Sequence, residues 1–214
     1  MATTQLDVIN SALANLGAMP LVSLANITKK EVILALANYN NCRDYVLREH
    51  PWKCCIKRVA LSPLYSPPAP TDSNGNALFN PNRVPLCDPN TLQHWSFACL
   101  LPSDYIGLVV NDDSKLPFLI EGKWLLTNEN TTVIRYVWQA SEDYFESHLA
   151  ETISAYLAQK MAMGLVQNTQ IYTAAANNYL KTLAKAKFQD VRMVRPIQQN
   201  EFYYEDIRMQ ANHI

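Results

Sequence analysis

The chain has 214 residues, of which 49% are hydrophobic and 17% charged, a composition typical of a folded, globular protein. Its 18 basic and 19 acidic residues give a formal net charge of −1, so it lacks the basic surplus that neutralises nucleic-acid phosphates. It also lacks the apolar run of about 18 residues that a membrane helix needs, and the basic start and apolar centre of a signal peptide. We therefore expect no membrane contact, a protein that stays in the compartment where it is made, and DNA at most as cargo that passes through a lumen.

The first 50 residues predict two helices that pair in antiparallel fashion. Apolar residues recur at steps of three and four from Leu6 to Leu16, and Gly17 followed by Pro20 ends this helix. The sequence Thr28-Lys29-Lys30-Glu31 resembles a capping box and predicts a second helix over 29–49. The inner face of the second helix is predicted to be Val32, Leu36, Tyr39 and Val46.

Residues 52–140 predict a β region, read as a meander of four or five strands. Strand signals cover 52–61, 95–101, 106–110 and 131–138, and a hairpin turns at Glu121-Gly122-Lys123. Between the first two strands, residues 63–92 hold seven of the 12 prolines and the turn Asn74-Gly75. This segment predicts a long loop that is either mobile or held by a partner.

Helical spacing returns after Ser141 in two further segments. Phe145, Leu149, Ile153, Tyr156 and Met161 form one apolar face of a helix over 143–164. A last helix over 169–191 has an inner face of Tyr172, Ala176, Tyr179, Leu183 and Ala186.

The order of elements predicts an α+β fold. Residues 1–51 and 141–194 would form a bundle of about four helices, 52–140 an inserted antiparallel β domain, and 195–214 a C-terminal arm. The arm contains Phe202, Tyr203 and Tyr204 beside acidic residues, and it begins at Arg195. Because exposed aromatic rings are common interface anchors, these four residues are the candidate partner contacts.

Residues that could carry catalysis or hold a metal are few, and each has a plainer explanation. His148 and Glu151 lie one helical turn apart, which favours a solvated pair because no third ligand is near in sequence. Cys54 and Cys55 are adjacent, and on a strand their side chains would point to opposite faces. The neighbouring carboxylates 112–113 and 142–143 diverge and suit a loop and a helix start. We therefore predict no catalytic residue, no metal and no cofactor, and five free cysteines, because their number is odd and their spacing irregular.

Several short phrases, in order along the chain, resemble the head-to-tail adaptor family of tailed bacteriophages, of the tail tubular protein A type. The resemblance covers about residues 5–61 and 95–192. The phrases are Ile9-Asn10-Ser11-Ala12-Leu13 with Leu16-Gly17, Pro20 and Ser23-Leu24; Tyr39, Arg43-Asp44 and Leu47; His50-Pro51-Trp52 with Arg58 and Leu61; Leu101-Pro102-Ser103-Asp104-Tyr105; Glu121-Gly122 with Leu125-Leu126-Thr127; and Tyr136 with Leu149 and Ala155-Tyr156-Leu157-Ala158.

This resemblance implies a structural protein of the virion rather than an enzyme. Members of the family form a ring, generally of twelve copies, that joins the portal protein to a tail nozzle protein and leaves a channel for DNA. It implies synthesis in the host cytoplasm and a place in the virion at the portal–tail junction, with the helices toward the portal and the β region toward the nozzle. The segments 63–92 and after Pro196 do not match the family pattern.

Two other classes of function stay open at this point. A small soluble enzyme could bring together polar residues that are distant in sequence. A DNA-binding assembly factor is the third class, although the balanced charge disfavours it.

Overall fold

The structure, a computed structural model, describes residues 3–25, 28–65, 95, 97–109, 117–129 and 132–192. These residues confirm the predicted α+β class, a helical bundle with an inserted antiparallel β region. The helices are α1 (Gln5–Asn15), α2 (Lys30–Arg48), α3 (Ser147–Leu165) and α4 (Thr169–Arg192). The strands are β1 (Ile56–Leu61), β2 (Pro63–Tyr65), β3 (Phe97–Leu100), β4 (Tyr105–Leu108), β5 (Phe118–Glu121), β6 (Trp124–Thr127) and β7 (Thr132–Trp138).

Helix α3 is the centre of the bundle. It packs against α1, α2 and α4, whereas α1 and α2 contact α3 far more than each other. The expected α1–α2 pair is thus not the organising contact, because α3 is buried around most of its circumference and takes a helix on several sides. Its predicted apolar face is confirmed, since Leu149, Ile153 and Met161 are fully buried.

Local capping fixes the first helix and corrects the prediction for the second. Thr4 and Asp7 form a reciprocal capping box at the start of α1, and Gly17, at φ 70°, ends it with a Schellman pattern of hydrogen bonds. The capping box predicted at Thr28-Glu31 is wrong. Helix α2 begins at Lys30, so Lys29 occupies the N-cap position, and no side chain caps it there.

The β region forms two antiparallel sheets rather than the predicted single meander. One sheet has the order β1-β7-β4 and the other β2-β3-β6-β5. The first strand of the insertion pairs with the last, from Ile56 opposite Val137 to Leu61 opposite Thr132. The chain therefore leaves and re-enters the bundle on neighbouring strands. The predicted 63–92 loop begins as β2, and the rest of it lies outside the described residues.

The main hydrophobic core extends from the helices into the three-stranded sheet. Ile106 of β4 and Val137 of β7 belong to the same buried cluster as the helical side chains. The four-stranded sheet packs through two smaller clusters. One, around Leu125 and Cys99, is shared with Ile134 and Tyr136 of the three-stranded sheet, and the other lies around Trp95 and Leu126. The three-stranded sheet is thus the part of the insertion that is fixed to the bundle.

Candidate functional site

The residues predicted as partner contacts lie outside the part of the chain that the structure describes. Arg195, Phe202, Tyr203 and Tyr204 all follow Arg192, the last described residue. The same holds for Cys87 and for the paired acids 112–113. What the structure adds is a set of buried polar contacts at the border between bundle and insertion, and an exposed apolar surface on α4.

The first of these contacts is the Asp190 junction, which consists of Asp190, His50 and Lys53. Asp190 lies in the last turn of α4, and only 2% of its side chain is exposed. Its Oδ2 accepts a hydrogen bond from Nε2 of His50 at 2.9 Å, and its Oδ1 accepts one from the backbone N–H of Lys53 at 3.1 Å. The Lys53 ammonium lies 3.8 Å from Oδ2 and also donates to the backbone carbonyl of Asp190.

This arrangement offsets an electrostatic conflict. A carboxylate in the last turn of a helix faces the negative end of the helix dipole, and burial removes its water. The Lys53 ammonium supplies the opposite charge, and its bond to the Asp190 carbonyl satisfies one of the free carbonyls of the helix end. Sequence reasoning missed Asp190, although an acid within the apolar spacing of a helix end was a signal for a buried partner.

His148 belongs beside this junction, which corrects the prediction of a solvated His148–Glu151 pair. The His148 ring is buried, with Nδ1 3.6 Å from Glu146 Oε2 and Nε2 4.0 Å from Asp190 Oδ1. The ring also lies 5.9 Å from the indole of Trp52. The helical spacing was correct, but His148 faces the core while Glu151 is exposed.

Cys54 and Cys55 also differ from their prediction. They lie in a 3-10 helix, Lys53–Cys55, rather than in a strand, and their Sγ atoms are 3.6 Å apart. The strand begins one residue later than Cys55, because the backbone first turns to bring Lys53 to Asp190. The pKa of Cys54 is lowered, chiefly because its sulfur accepts a hydrogen bond from Cys55 and also because it accepts one from the backbone of Glu146. The pKa of Cys55 is raised because its thiol donates that bond and is buried.

A second contact, the partly exposed Asp104 junction, ties the strands of the three-stranded sheet together. Asp104 accepts hydrogen bonds from Lys57 Nζ at 2.8 Å and from the Tyr136 hydroxyl at 3.0 Å. Its backbone carbonyl accepts the N–H of Gln139. Burial opposes the charged form of Asp104, but the bonds from Lys57 and Tyr136 outweigh it and lower the pKa of the carboxyl. Burial and the same carboxylate raise the pKa of Tyr136 to about 12.

Helix α2 holds the point where the chain returns to the bundle. The Tyr39 hydroxyl donates to Glu142 at 2.9 Å, and the Gln139 amide donates to Asp44 at 3.1 Å. Burial and the Glu142 carboxylate raise the pKa of Tyr39, which keeps its hydroxyl a donor. At the exit point the indole of the buried Trp52 donates to the carbonyl of Val46. The points where the chain leaves the bundle and returns to it are therefore both fixed by side chains of α2 or of the residues next to it.

The outward side of α4 carries an exposed apolar stripe. Leu180, Ala184, Phe188 and Val191 follow one another at helical spacing, and Leu180, Phe188 and Val191 are 61%, 64% and 57% exposed. Beside this stripe lies a ridge of exposed cations, Lys181, Lys185 and Arg192, and Asp190, which is buried, is the single acid in the helix. Large exposed apolar side chains grouped on one surface mark interaction sites.

Among the described residues, no group of three or more histidine, cysteine or acidic side chains is arranged to hold a metal ion. None of the described helices is long and apolar enough to cross a membrane. No protein-family model matches the chain, and no curated protein matches it significantly.

Proposed function

We propose that this chain is a connector subunit of a tailed-bacteriophage virion, which forms a ring between the portal protein and the tail nozzle protein. In the family that the sequence resembles, such rings contain twelve copies. The ring adapts one symmetric surface to the next and leaves a channel for DNA. This function needs a rigid subunit with interaction surfaces on its outside, rather than a reactive centre.

The observation that carries the proposal is where the family-like phrases fall in the fold. His50 of the His50-Pro51-Trp52 phrase binds Asp190, and Asp104 of the 101–105 phrase binds Lys57 and Tyr136. Asn10, in the opening phrase, exchanges two hydrogen bonds with the backbone of Leu21. The residues that suggested the family are thus those that fix helices and strands to one another. A resemblance at such positions supports a shared architecture more strongly than one at scattered surface residues.

The apolar stripe on α4 supports assembly with a partner. Burying the exposed part of Leu180, Phe188 and Val191 contributes about 1–2 kcal/mol for each side chain, before the cost of ordering. That amount is marginal for one pair of molecules. A closed ring repeats the contact on every subunit and turns it into a stable assembly. The stripe ends at Val191, four residues before Arg195, where the predicted arm begins, so both segments can contribute to one interface.

The direct test combines the full-length chain with the portal protein encoded beside it and examines the mixture by electron microscopy and mass photometry. We expect a ring seated on the portal. Phe188→Glu should prevent ring formation, because it places a charge in the apolar stripe. Val133→Glu is the matched control, since Val133 is 66% exposed on β7, away from α4. A chain that stays monomeric beside every portal tested contradicts the proposal.

The arm is tested by truncation after Pro196. We expect the shortened chain to melt at nearly the same temperature as the full chain and to lose stable attachment to the portal. Unchanged assembly of the truncated chain would mean that residues 197–214 make no partner contact. A large drop in melting temperature would instead make these residues part of the subunit core.

Catalysis is the second candidate function, because one cavity is lined by charged and titratable side chains. A cavity of about 210 Å³ is lined by His50, Lys53, Arg135 and Asp190, among others. Both carboxylate oxygens of Asp190, however, already accept bonds from Lys53 and His50 within the protein. A carboxylate committed to holding two segments together is poorly placed to take up a substrate proton. We therefore favour the connector function.

A further inference from the structure

We propose that Cys54 and Cys55 form a chelating dithiol site for soft trivalent metalloids, the chemical class of aryl arsenic(III) compounds. This site is independent of the connector function. It depends on the 3-10 turn between α2 and β1, which brings the sulfur atoms of two adjacent residues to 3.6 Å from each other. In a strand, the same two side chains would point to opposite faces.

The separation of the sulfurs fits a bridging atom better than a disulfide. A disulfide has an S–S distance of roughly 2.0 Å and usually joins Cα atoms about 4.4–6.8 Å apart, whereas adjacent Cα atoms are about 3.8 Å apart. A bridging centre with bonds of roughly 2.3 Å to each sulfur, at bond angles of about 90–110°, holds them roughly 3.3–3.8 Å apart. The observed 3.6 Å lies within this range. The reduced pair is therefore already arranged for chelation.

The two thiols also differ in exposure and in pKa, so they can react with the metalloid one after the other. Cys54 is partly exposed and the pKa of its thiol is lowered, so its sulfur is the first nucleophile, while Cys55 is buried and the pKa of its thiol is raised. With phenylarsine oxide, Cys54 sulfur bonds to arsenic and a thiol proton passes to the arsenic-bound oxygen. Cys55 sulfur then displaces that oxygen, which leaves as water after taking the second thiol proton. Two S–H bonds are lost, two S–As bonds form, and arsenic keeps its oxidation state.

The first experiment treats the folded full-length chain with one equivalent of phenylarsine oxide and measures the intact mass. We expect one adduct, with the mass of the reagent less one water, that survives excess 2-mercaptoethanol and is removed by 1,2-ethanedithiol. Cys54→Ser should abolish the stable adduct. Cys42→Ser and Cys99→Ser are matched controls that should keep it. No adduct on the folded chain, or an adduct that survives in Cys54→Ser, overturns the proposal.

A second measurement tests whether the fold prepares the site. Two adjacent cysteines also react in the unfolded chain, so the reagent stabilises the protein only if the folded arrangement binds it more tightly. We expect excess phenylarsine oxide to raise the melting temperature of the wild-type chain and to leave that of Cys54→Ser unchanged. An unchanged or lower melting temperature of the wild-type chain contradicts a preformed site, even where the mass shows an adduct.

Discussion

Replacing Asp190 with alanine tests whether the Asp190 junction holds the bundle to the insertion. The substitution removes the acceptor of two hydrogen bonds, from His50 at 2.9 Å and from the Lys53 backbone at 3.1 Å, in a side chain that is 2% exposed. Each donor left buried without an acceptor costs about 1–3 kcal/mol. Breaking a buried charge pair by removing one partner costs about 3–5 kcal/mol in total. We therefore expect a loss of about 3–5 kcal/mol in the free energy of unfolding.

Asp190→Asn keeps a hydrogen-bond acceptor at this position but removes the negative charge, so it distinguishes the two contributions. Its amide oxygen still accepts one of the two bonds, while its amide nitrogen faces a donor, so we expect about half of the alanine effect. Both variants are measured by urea denaturation followed through tryptophan fluorescence, to which Trp52 contributes with its indole 4.9 Å from the His50 ring. For a chain of this size, the alanine variant should melt roughly 6–20 °C lower.

Asp143→Ala is the matched control, since Asp143 is an exposed acid near the return to the bundle. It should change the free energy of unfolding by less than about 0.5 kcal/mol. A loss below 1 kcal/mol in Asp190→Ala would refute the reasoning, because it would mean that His50 and Lys53 find other partners or water at no cost. An Asp190→Asn variant as unstable as the alanine variant would assign the whole effect to charge.

Three further predictions concern single features of the fold. Asp104→Asn should destabilise the chain at neutral pH. Because the native pKa of Asp104 lies below its ordinary 3.8, the loss of stability should be complete above pH 3.8 and should vanish as the pH falls through the native pKa. Acid titration of both proteins at a fixed urea concentration measures this difference. Gly17→Ala should lower the free energy of unfolding by about 1 kcal/mol, because a φ of 70° strains a residue that has a Cβ. Equal stability of the two proteins in thermal melts would contradict that backbone geometry. All cysteines should titrate as free thiols in denaturant without reductant, and recovery of a disulfide-linked peptide would disprove this prediction. In the folded chain Cys42 should react slowly, because burial raises its pKa to about 11.

Most of the correct predictions depended on the spacing of apolar residues and on the residues that end a helix. The apolar face of α3 and the end of α1 at Gly17 depend on residues within a few positions of one another, which a sequence displays directly. The same kind of reasoning failed for α2, where a capping-box sequence at Thr28 lies just outside the helix that begins at Lys30. Helix ends are decided by one or two residues, so a good motif in the wrong register makes no cap.

The polar contacts between distant segments could not be predicted because nothing local in the sequence indicates their partners. His50 and Asp190 are separated by 140 positions, and Lys57 and Asp104 by 47. Nothing near His50 indicates which carboxylate it binds. The 3-10 turn at Cys54-Cys55 has the same origin, since the turn brings Lys53 to Asp190 and local propensity alone favours a strand there.

The position of Asp190 links the stability of the subunit to its proposed work in a ring. It lies two residues before the end of α4, beside the apolar stripe, and its partners His50 and Lys53 lie where α2 gives way to the insertion. A load on the segment after Arg192 therefore reaches α4, which is held by its packing on α3 and, at this end, by the Asp190 carboxylate that contacts the segment before β1. Because β1 pairs with β7, the same contact connects that load to the strand by which the chain re-enters the bundle. In the connector that we propose, this contact joins the helical side of the subunit to its β side at the end of the last helix.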